Sequence, residues 1–211
     1  MKYGNLTNHL TLTAQKDARQ VNSNVIFQRQ CMELPKFKYH PDPIKTGSIK
    51  KSDAVCECCN KQTGYVYTGS IYCKSNIENL CPWCIANGKA HEKYDAEFTT
   101  FGYEIDKDDD ECICSEATCN EVLHQTPGFS SFQEADWQCH CNDLCEFHGP
   151  ATVGDFRNIS EKETERLYRV TYLDETELNE LKKGDENEEQ AYFFKFICRH
   201  CGELRFMMDL D

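Results

Sequence analysis

Fifteen of the 211 residues are cysteine, and their grouping limits the folds open to this chain more than any other feature. Two pairs, Cys56-Glu57-Cys58-Cys59 and Cys81-Pro82-Trp83-Cys84, flank a stretch rich in β-branched and aromatic residues. Paired thiols at this spacing either cross-link a secreted fold or bind a metal. The segment Met1 to Leu6 holds no apolar run of the kind a secretory leader needs, so a reducing, cytoplasmic location is expected. The odd number of cysteines points the same way. In that compartment close Cys-x-x-Cys pairs read as metal ligands, and zinc leads because it favours tetrahedral thiolate sets and brings no redox chemistry.

The text around the pairs predicts how they are presented. Pro35, Pro41 and Pro43 forbid a helix before the first pair and favour an extended entry followed by a turn. Tyr65-Val66-Tyr67-Thr68 and Ser70-Ile71-Tyr72-Cys73, separated by Gly69, predict a hairpin. Pro82 suits the first turn of a helix running from Cys81 through Ala86 to Tyr94, with Gly88 its weak point. The order knuckle, hairpin, helix predicts a treble-clef-like module with Cys56, Cys59, Cys81 and Cys84 as ligands. Cys58 competes for a place in that set.

A second constellation lies downstream. Cys139-His140-Cys141-Asn142-Asp143-Leu144-Cys145 and Cys198-Arg199-His200-Cys201 each carry several donors, and strand-like runs at 191–197 and 203–208 would place Cys198 and Cys201 at a hairpin tip, as in a zinc ribbon. Cys141, Cys145, Cys198 and Cys201 are expected to form a second tetrahedron, which makes two structural zinc ions per chain. Cys139, His140 and His148 remain open as substitutes. Cys112, Cys114 and Cys119 read as reduced thiols, since a third site would need another ligand such as His124.

Charge bears on partners. The net charge is −13, yet residues 1–50 carry eight Lys and Arg against three acids, leaving an acidic body with a basic N-terminal arm that includes Lys2, Lys16, Arg19 and Arg29. A surface this negative disfavours nucleic acid and suits a basic protein partner. No stretch approaches the apolar run of about 18 residues that a membrane span requires. The stretch from Glu104 to Glu121, with eight acids and one Lys, reads as an acidic loop leading into a helix through Val122 and Leu123. Ser160 with Glu163, and Asp174 with Glu177, match capping boxes, and Gly184 can end the second of these helices after Leu181. The expected architecture is α+β in three regions: a polar extension over 1–33 with one helix around Ala14 to Ile26, a first zinc module over 34–100, and an acidic loop, helices and second zinc module over 101–211.

The run Leu34-Pro35-Lys36-Phe37-Lys38-Tyr39-His40-Pro41-Asp42-Pro43, the motifs Gly64-Tyr65-Val66-Tyr67-Thr68-Gly69 and Cys81-Pro82-Trp83-Cys84-Ile85-Ala86, then Thr126-Pro127-Gly128-Phe129, His140-Cys141-Asn142-Asp143-Leu144-Cys145 and Cys198-Arg199-His200-Cys201-Gly202, resemble the CbrC-like bacterial family, named for colicin tolerance. The resemblance runs from about Leu34 to the C-terminus and implies a tolerance phenotype with no established biochemical activity. Three function classes follow. The leading one is a non-enzymatic, zinc-stabilised protein-binding or toxin-protection factor. A thiol-disulfide enzyme using Cys81 and Cys84 is a second, weakened by the absence of a βαβ pattern. A zinc-dependent hydrolase drawing on His40, Asp42, His91 and Asp95 is the third, against which His40 and Asp42 read more simply as hydrogen-bonding the proline turn.

Overall fold

A computed structural model describes residues 33–100, 114–133 and 135–209. The expected helix at Ala14 to Ile26, the basic arm, most of the acidic loop and Cys112 lie outside the described residues. Glu33–Asp211 forms one compact unit, built from mixed helix and sheet. No helix among the described residues is long and apolar enough to cross a membrane.

The chain enters as an extended segment followed by a tight turn, as three prolines dictate. His40 is buried there, and its ring spans two partners: Nδ1–H donates to the Pro127 carbonyl at 2.7 Å, and Nε2 accepts from the Thr46 hydroxyl at 2.6 Å. Asp42 Oδ1 accepts from the Lys45 N–H at 3.1 Å and closes the turn. Strand β1 (Ile49–Lys51) follows, then β2 (Tyr65–Tyr67), paired antiparallel with Ile49 opposite Tyr67. The expected hairpin between 65–68 and 70–73 does not form. Tyr65–Tyr67 instead takes Ile49–Lys51 as its partner, and Tyr72 makes a lone antiparallel bridge with Glu97.

Helix α1 (Pro82–Ala86) starts with Pro82 at its first position, and α2 (Lys89–Tyr94) follows. The single helix expected from Cys81 to Tyr94 is broken at Gly88, whose φ of 73° lies in the left-handed region that glycine enters without a Cβ clash. Helix α3 (Glu116–Gln125) is capped by the Ser115 hydroxyl, which accepts from the Thr118 N–H.

Two short strands, β3 (Cys139–His140) and β4 (Asp143–Leu144), form a hairpin whose two turn residues, Cys141 and Asn142, both have positive φ. This is the backbone of a two-residue turn matched to strand twist. A three-stranded antiparallel sheet follows from β5 (Glu146–Thr152), β6 (Glu189–Ile197) and β7 (Leu204–Met208), with β6 central. Helices α4 (Val153–Arg157), α5 (Glu161–Thr171) and α6 (Glu175–Leu181) lie between β5 and β6 in sequence.

Among the described residues three apolar cores form. The first collects Phe37, Ile49, Leu80, Ile85 and Phe98 around the first cysteine pairs. The second packs Tyr39, Phe129, Trp137, Phe147 and Phe196, with the Phe129 and Phe147 rings stacked at 4.1 Å. The third places Phe156, Leu167, Leu178, Phe193 and Phe206 together. Alternation along β6 and β7 separates the last two: Phe193 and Phe206 enter the third core, Phe196 and Met207 the second. Cores one and two meet closely at Gly128, where a Cβ would lie 1.7 Å from the Phe98 carbonyl oxygen, so no larger residue fits.

Candidate metal centres

The first centre is assembled by two local devices. Cys56 begins a tight knuckle in which the Asn60 N–H donates to the Cys56 carbonyl at 2.7 Å and the Cys56 N–H to the Lys61 carbonyl at 2.9 Å. Asn60 tolerates the left-handed φ of 56° that this turn demands. Opposite it, Cys81 is the residue before α1 and Cys84 lies in its first turn. The Cys56 and Cys84 sulfurs stand 3.9 Å apart, as do those of Cys59 and Cys81, and the four Sγ atoms all lie within 4.8 Å of one another. A tetrahedron with metal–sulfur bonds of about 2.3 Å has S···S edges of roughly 3.8 Å, so the donor set fits a zinc-sized ion. The Cys81 thiol and several backbone N–H groups, including that of Cys81 at 3.3 Å, hold the Cys56 thiol well below the usual thiol range, and this sharing together with burial pushes Cys81 up. Burial first, then neighbouring cysteines, pushes Cys84 up. An ion would displace the shared protons. Cys58, the competitor on sequence, lies outside the four-membered set.

The knuckle is fixed from behind. Glu57 Oε1 accepts from the N–H groups of Glu78 and Asn79 at 3.0 and 2.9 Å, tying the two cysteine-bearing segments together. From α2, Lys93 Nζ donates to the Glu57 and Cys58 carbonyls at 3.1 Å each, and the Tyr94 hydroxyl to the Glu57 carbonyl at 2.9 Å. These bonds hold the carbonyl-rich outer side of the turn.

The second centre joins two hairpin tips. Cys198 and Cys201 occupy the turn between β6 and β7, closed by the Gly202 N–H donating to the Cys198 carbonyl at 2.9 Å. The β3–β4 turn brings His140 and Cys141 against them. The Cys141 and Cys201 sulfurs are 3.8 Å apart, and His140 Nδ1 lies 3.4 Å from Cys141 Sγ and 3.3 Å from Cys201 Sγ. His140, Cys141, Cys198 and Cys201 form the group whose donor atoms lie within 4.8 Å of one another. Sequence spacing pointed to Cys145 as the fourth member, and the structure differs there. Cys145 is fully buried in the second core and lies outside the group of donors that come within 4.8 Å of one another. Its backbone carbonyl accepts from Trp137 Nε1 at 2.8 Å.

The other substitutes considered on sequence have their own partners. His148 Nε2 lies 3.3 Å from Glu146 Oε2, and the Cys139 sulfur is 3.0 Å from that of Cys114. Asp143 was not singled out by sequence, yet it backs the second centre: it receives the Tyr39 hydroxyl at 2.8 Å and lies 3.0 Å from His200 Nε2 and 3.3 Å from Arg199 Nη1. Asp143 is the second residue after Cys141, and a carboxylate adjoining a cysteine-rich turn was the available signal.

The groups weighed for hydrolysis stand differently. Both His40 ring nitrogens are engaged in the interior, and burial pushes the ring down to about 4. His91 packs in parallel on His124 with ring centroids 3.6 Å apart, and its Nδ1 lies 3.2 Å from the Ala96 carbonyl. Because α1 and α2 are separate helices, His91 does not continue the face that carries Cys84.

Comparison with known proteins places this arrangement. The profile of UPF0167, described as an uncharacterised protein family, matches residues 34–210. The chain belongs to the UPF0167 family. A UPF0167 protein of Pseudomonas aeruginosa is 32% identical over 181 residues, covering 83% of this chain and 97% of that protein. UPF0167 proteins of Mycobacterium bovis and Mycobacterium tuberculosis are each 38% identical over 128 residues, or 60% of this chain and 66% of theirs. No solved structure matches the chain. Both cysteine clusters of this UPF0167 member fall inside the matched span.

Proposed function

We propose that the protein is a non-enzymatic, zinc-stabilised binding factor in which both clusters hold structural Zn²⁺ and the acidic body engages a basic protein partner. One observation carries this reading: each cluster offers four protein donors within 4.8 Å of one another, whereas a catalytic zinc keeps a position for water or substrate. A knuckle facing a helix start supports a treble-clef-like first module over 34–100, and two opposed hairpin tips support a zinc-ribbon-like second module within 101–211. Residues 1–33 are then an extension to this scaffold. Thiolate clusters of this kind are in keeping with a reducing, cytoplasmic setting. A net charge of −13 supports a basic protein partner over nucleic acid. Toxin protection of the colicin-tolerance type is the role that the resemblance to the CbrC-like family adds.

A thiol-disulfide role for Cys81 and Cys84 would need the two thiols available to each other, whereas their sulfurs stand 3.9 Å from those of Cys59 and Cys56 as part of one four-donor set. Elemental mass spectrometry on untagged protein purified without chelator tests the scaffold. The expected result is two zinc ions per chain, falling to one in Cys59→Ser. Metal-free protein with intact secondary structure would overturn the proposal.

A further inference from the structure

The two clusters differ in how far solvent reaches their sulfurs. In the first, Cys56, Cys81 and Cys84 are buried and Cys59 is half-buried. In the second, Cys141 and Cys201 are both exposed, and Cys198 is buried. The exposed pair sits on two turn tips, one between β3 and β4 and the other between β6 and β7, with the sulfurs 3.8 Å apart. Sulfurs in the first cluster stand equally close, at 3.9 Å, so burial rather than distance separates the two sets. Cys198 is also held differently from its exposed neighbours, because its sulfur accepts the His200 N–H at 3.4 Å. A thiolate stabilised in this way is a weaker nucleophile. Oxidation of cysteine follows thiolate character and exposure, so an oxidant arriving from solvent meets Cys141 and Cys201 first.

Given zinc in both clusters, as proposed above, we propose that the second is a redox-sensitive zinc site in which a peroxide joins Cys141 to Cys201 and the ion is released. The donor set fits the ion: His140 Nδ1 lies 3.4 and 3.3 Å from the Cys141 and Cys201 sulfurs, near the roughly 3.5 Å nitrogen–sulfur edge of a zinc tetrahedron. With hydrogen peroxide, the Cys141 thiolate attacks one oxygen, the O–O bond breaks, and a sulfenic acid forms as hydroxide leaves. The Cys201 thiolate then attacks the sulfenic sulfur, the S–S bond forms and a second hydroxide leaves. Two electrons pass from the sulfurs to the peroxide, and two protons from solvent convert the hydroxides to water. The sulfurs must close from 3.8 Å to about 2.0 Å, a shift that side-chain rotation at two turn tips covers. His140 and Cys198 then remain as two donors, too few for a tetrahedral site.

Treating zinc-loaded, full-length protein with hydrogen peroxide tests the site, with released zinc followed by a chromogenic chelator and disulfides mapped by mass spectrometry without reduction. Starting from two ions per chain, loss of one is expected, together with a peptide pair joined through Cys141 and Cys201. Dithiothreitol and added zinc then restore the second ion, and the first is lost at least about tenfold more slowly. Cys59→Ser, which keeps the second centre, is expected to lose its one ion at the wild-type rate. His140→Ala, which keeps the first, is expected to retain its ion. Release of neither ion, release of both at one rate, or a disulfide that omits either Cys141 or Cys201 would overturn the assignment and leave the zinc scaffold standing. Fewer than two ions per chain before peroxide is added would overturn both.

Discussion

Cys141 has a φ of 53°, a left-handed backbone that costs a residue with a Cβ about 1 kcal/mol. The turn it shares with Asn142 aims both His140 and Cys141 at the β6–β7 tip, and the strain is explained by that placement. Cys145 attracts attention on spacing because three residues separate it from Cys141. It nevertheless has the parity of Phe147, Gly149 and Ala151, the buried positions of β5, so its side chain joins the core. The two assignments give opposite outcomes. His140→Ala is expected to lower zinc content from two ions to one, while Cys145→Ala keeps two and costs about 1 kcal/mol through a small cavity. The reverse pattern, read by metal analysis and urea unfolding, would restore the Cys145 tetrahedron.

At the level of helices and strands, local capping chemistry does what its residue types allow. The Asp174 carboxylate accepts from the Glu177 N–H at 2.8 Å, and Glu177 Oε2 accepts from the Asp174 N–H at 2.8 Å, a reciprocal box at the start of α6. Asp174→Ala is expected to lower stability by about 1 kcal/mol with no change in zinc content, and a denaturant midpoint that does not move would refute the cap. Ser160 and Glu163 share the same spacing but not the same outcome. Ser160 caps α5, whereas Glu163 turns inward to Arg166 and Arg205. Spacing foretells the backbone partner of a cap and is silent on a buried charge elsewhere in the chain. The same division holds for strands. The runs at β6 and β7 were legible in composition, and β5 had a readable alternation that its Gly149 and Pro150 obscured. The partner of Tyr65–Tyr67 was not legible, because apolar character identifies a strand without naming its neighbour. The first cysteine set was legible as a unit because both pairs keep a two-residue spacer. The second was readable only in part, because a two-residue turn reversed the direction of the chain between His140 and Asp143.

On the scale of the molecule, the entry segment stitches two cores: Phe37 belongs to the first and Tyr39, two residues later, to the second. Tyr39 also reaches Asp143 behind the second centre, and its carbonyl accepts from the Phe147 N–H at 2.8 Å. His40 completes the seam by binding Pro127 and Thr46. Burial lowers its pKa from 6.5 to about 4, so the unfolded chain takes up a proton that the folded ring refuses. His40 therefore contributes nothing to pH dependence above about 6.5, and stability falls as pH drops from there towards 4, by up to roughly 3 kcal/mol. NMR of the imidazole nitrogens is expected to show a neutral ring, protonated on Nδ1, down to pH 5, and a ring titrating near 6.5 would contradict the buried geometry. The spacing of the two centres has a different consequence, in the order of synthesis. The first set of donors is complete once Cys84 has been made, whereas the second waits for Cys201, about 120 residues further on. At ribosomal speeds that delay is on the order of ten seconds. A nascent chain can thus close its first centre while the β6–β7 tip does not yet exist, and a ribosome stalled ten residues early leaves His140 and Cys141 waiting beside a tip that never comes.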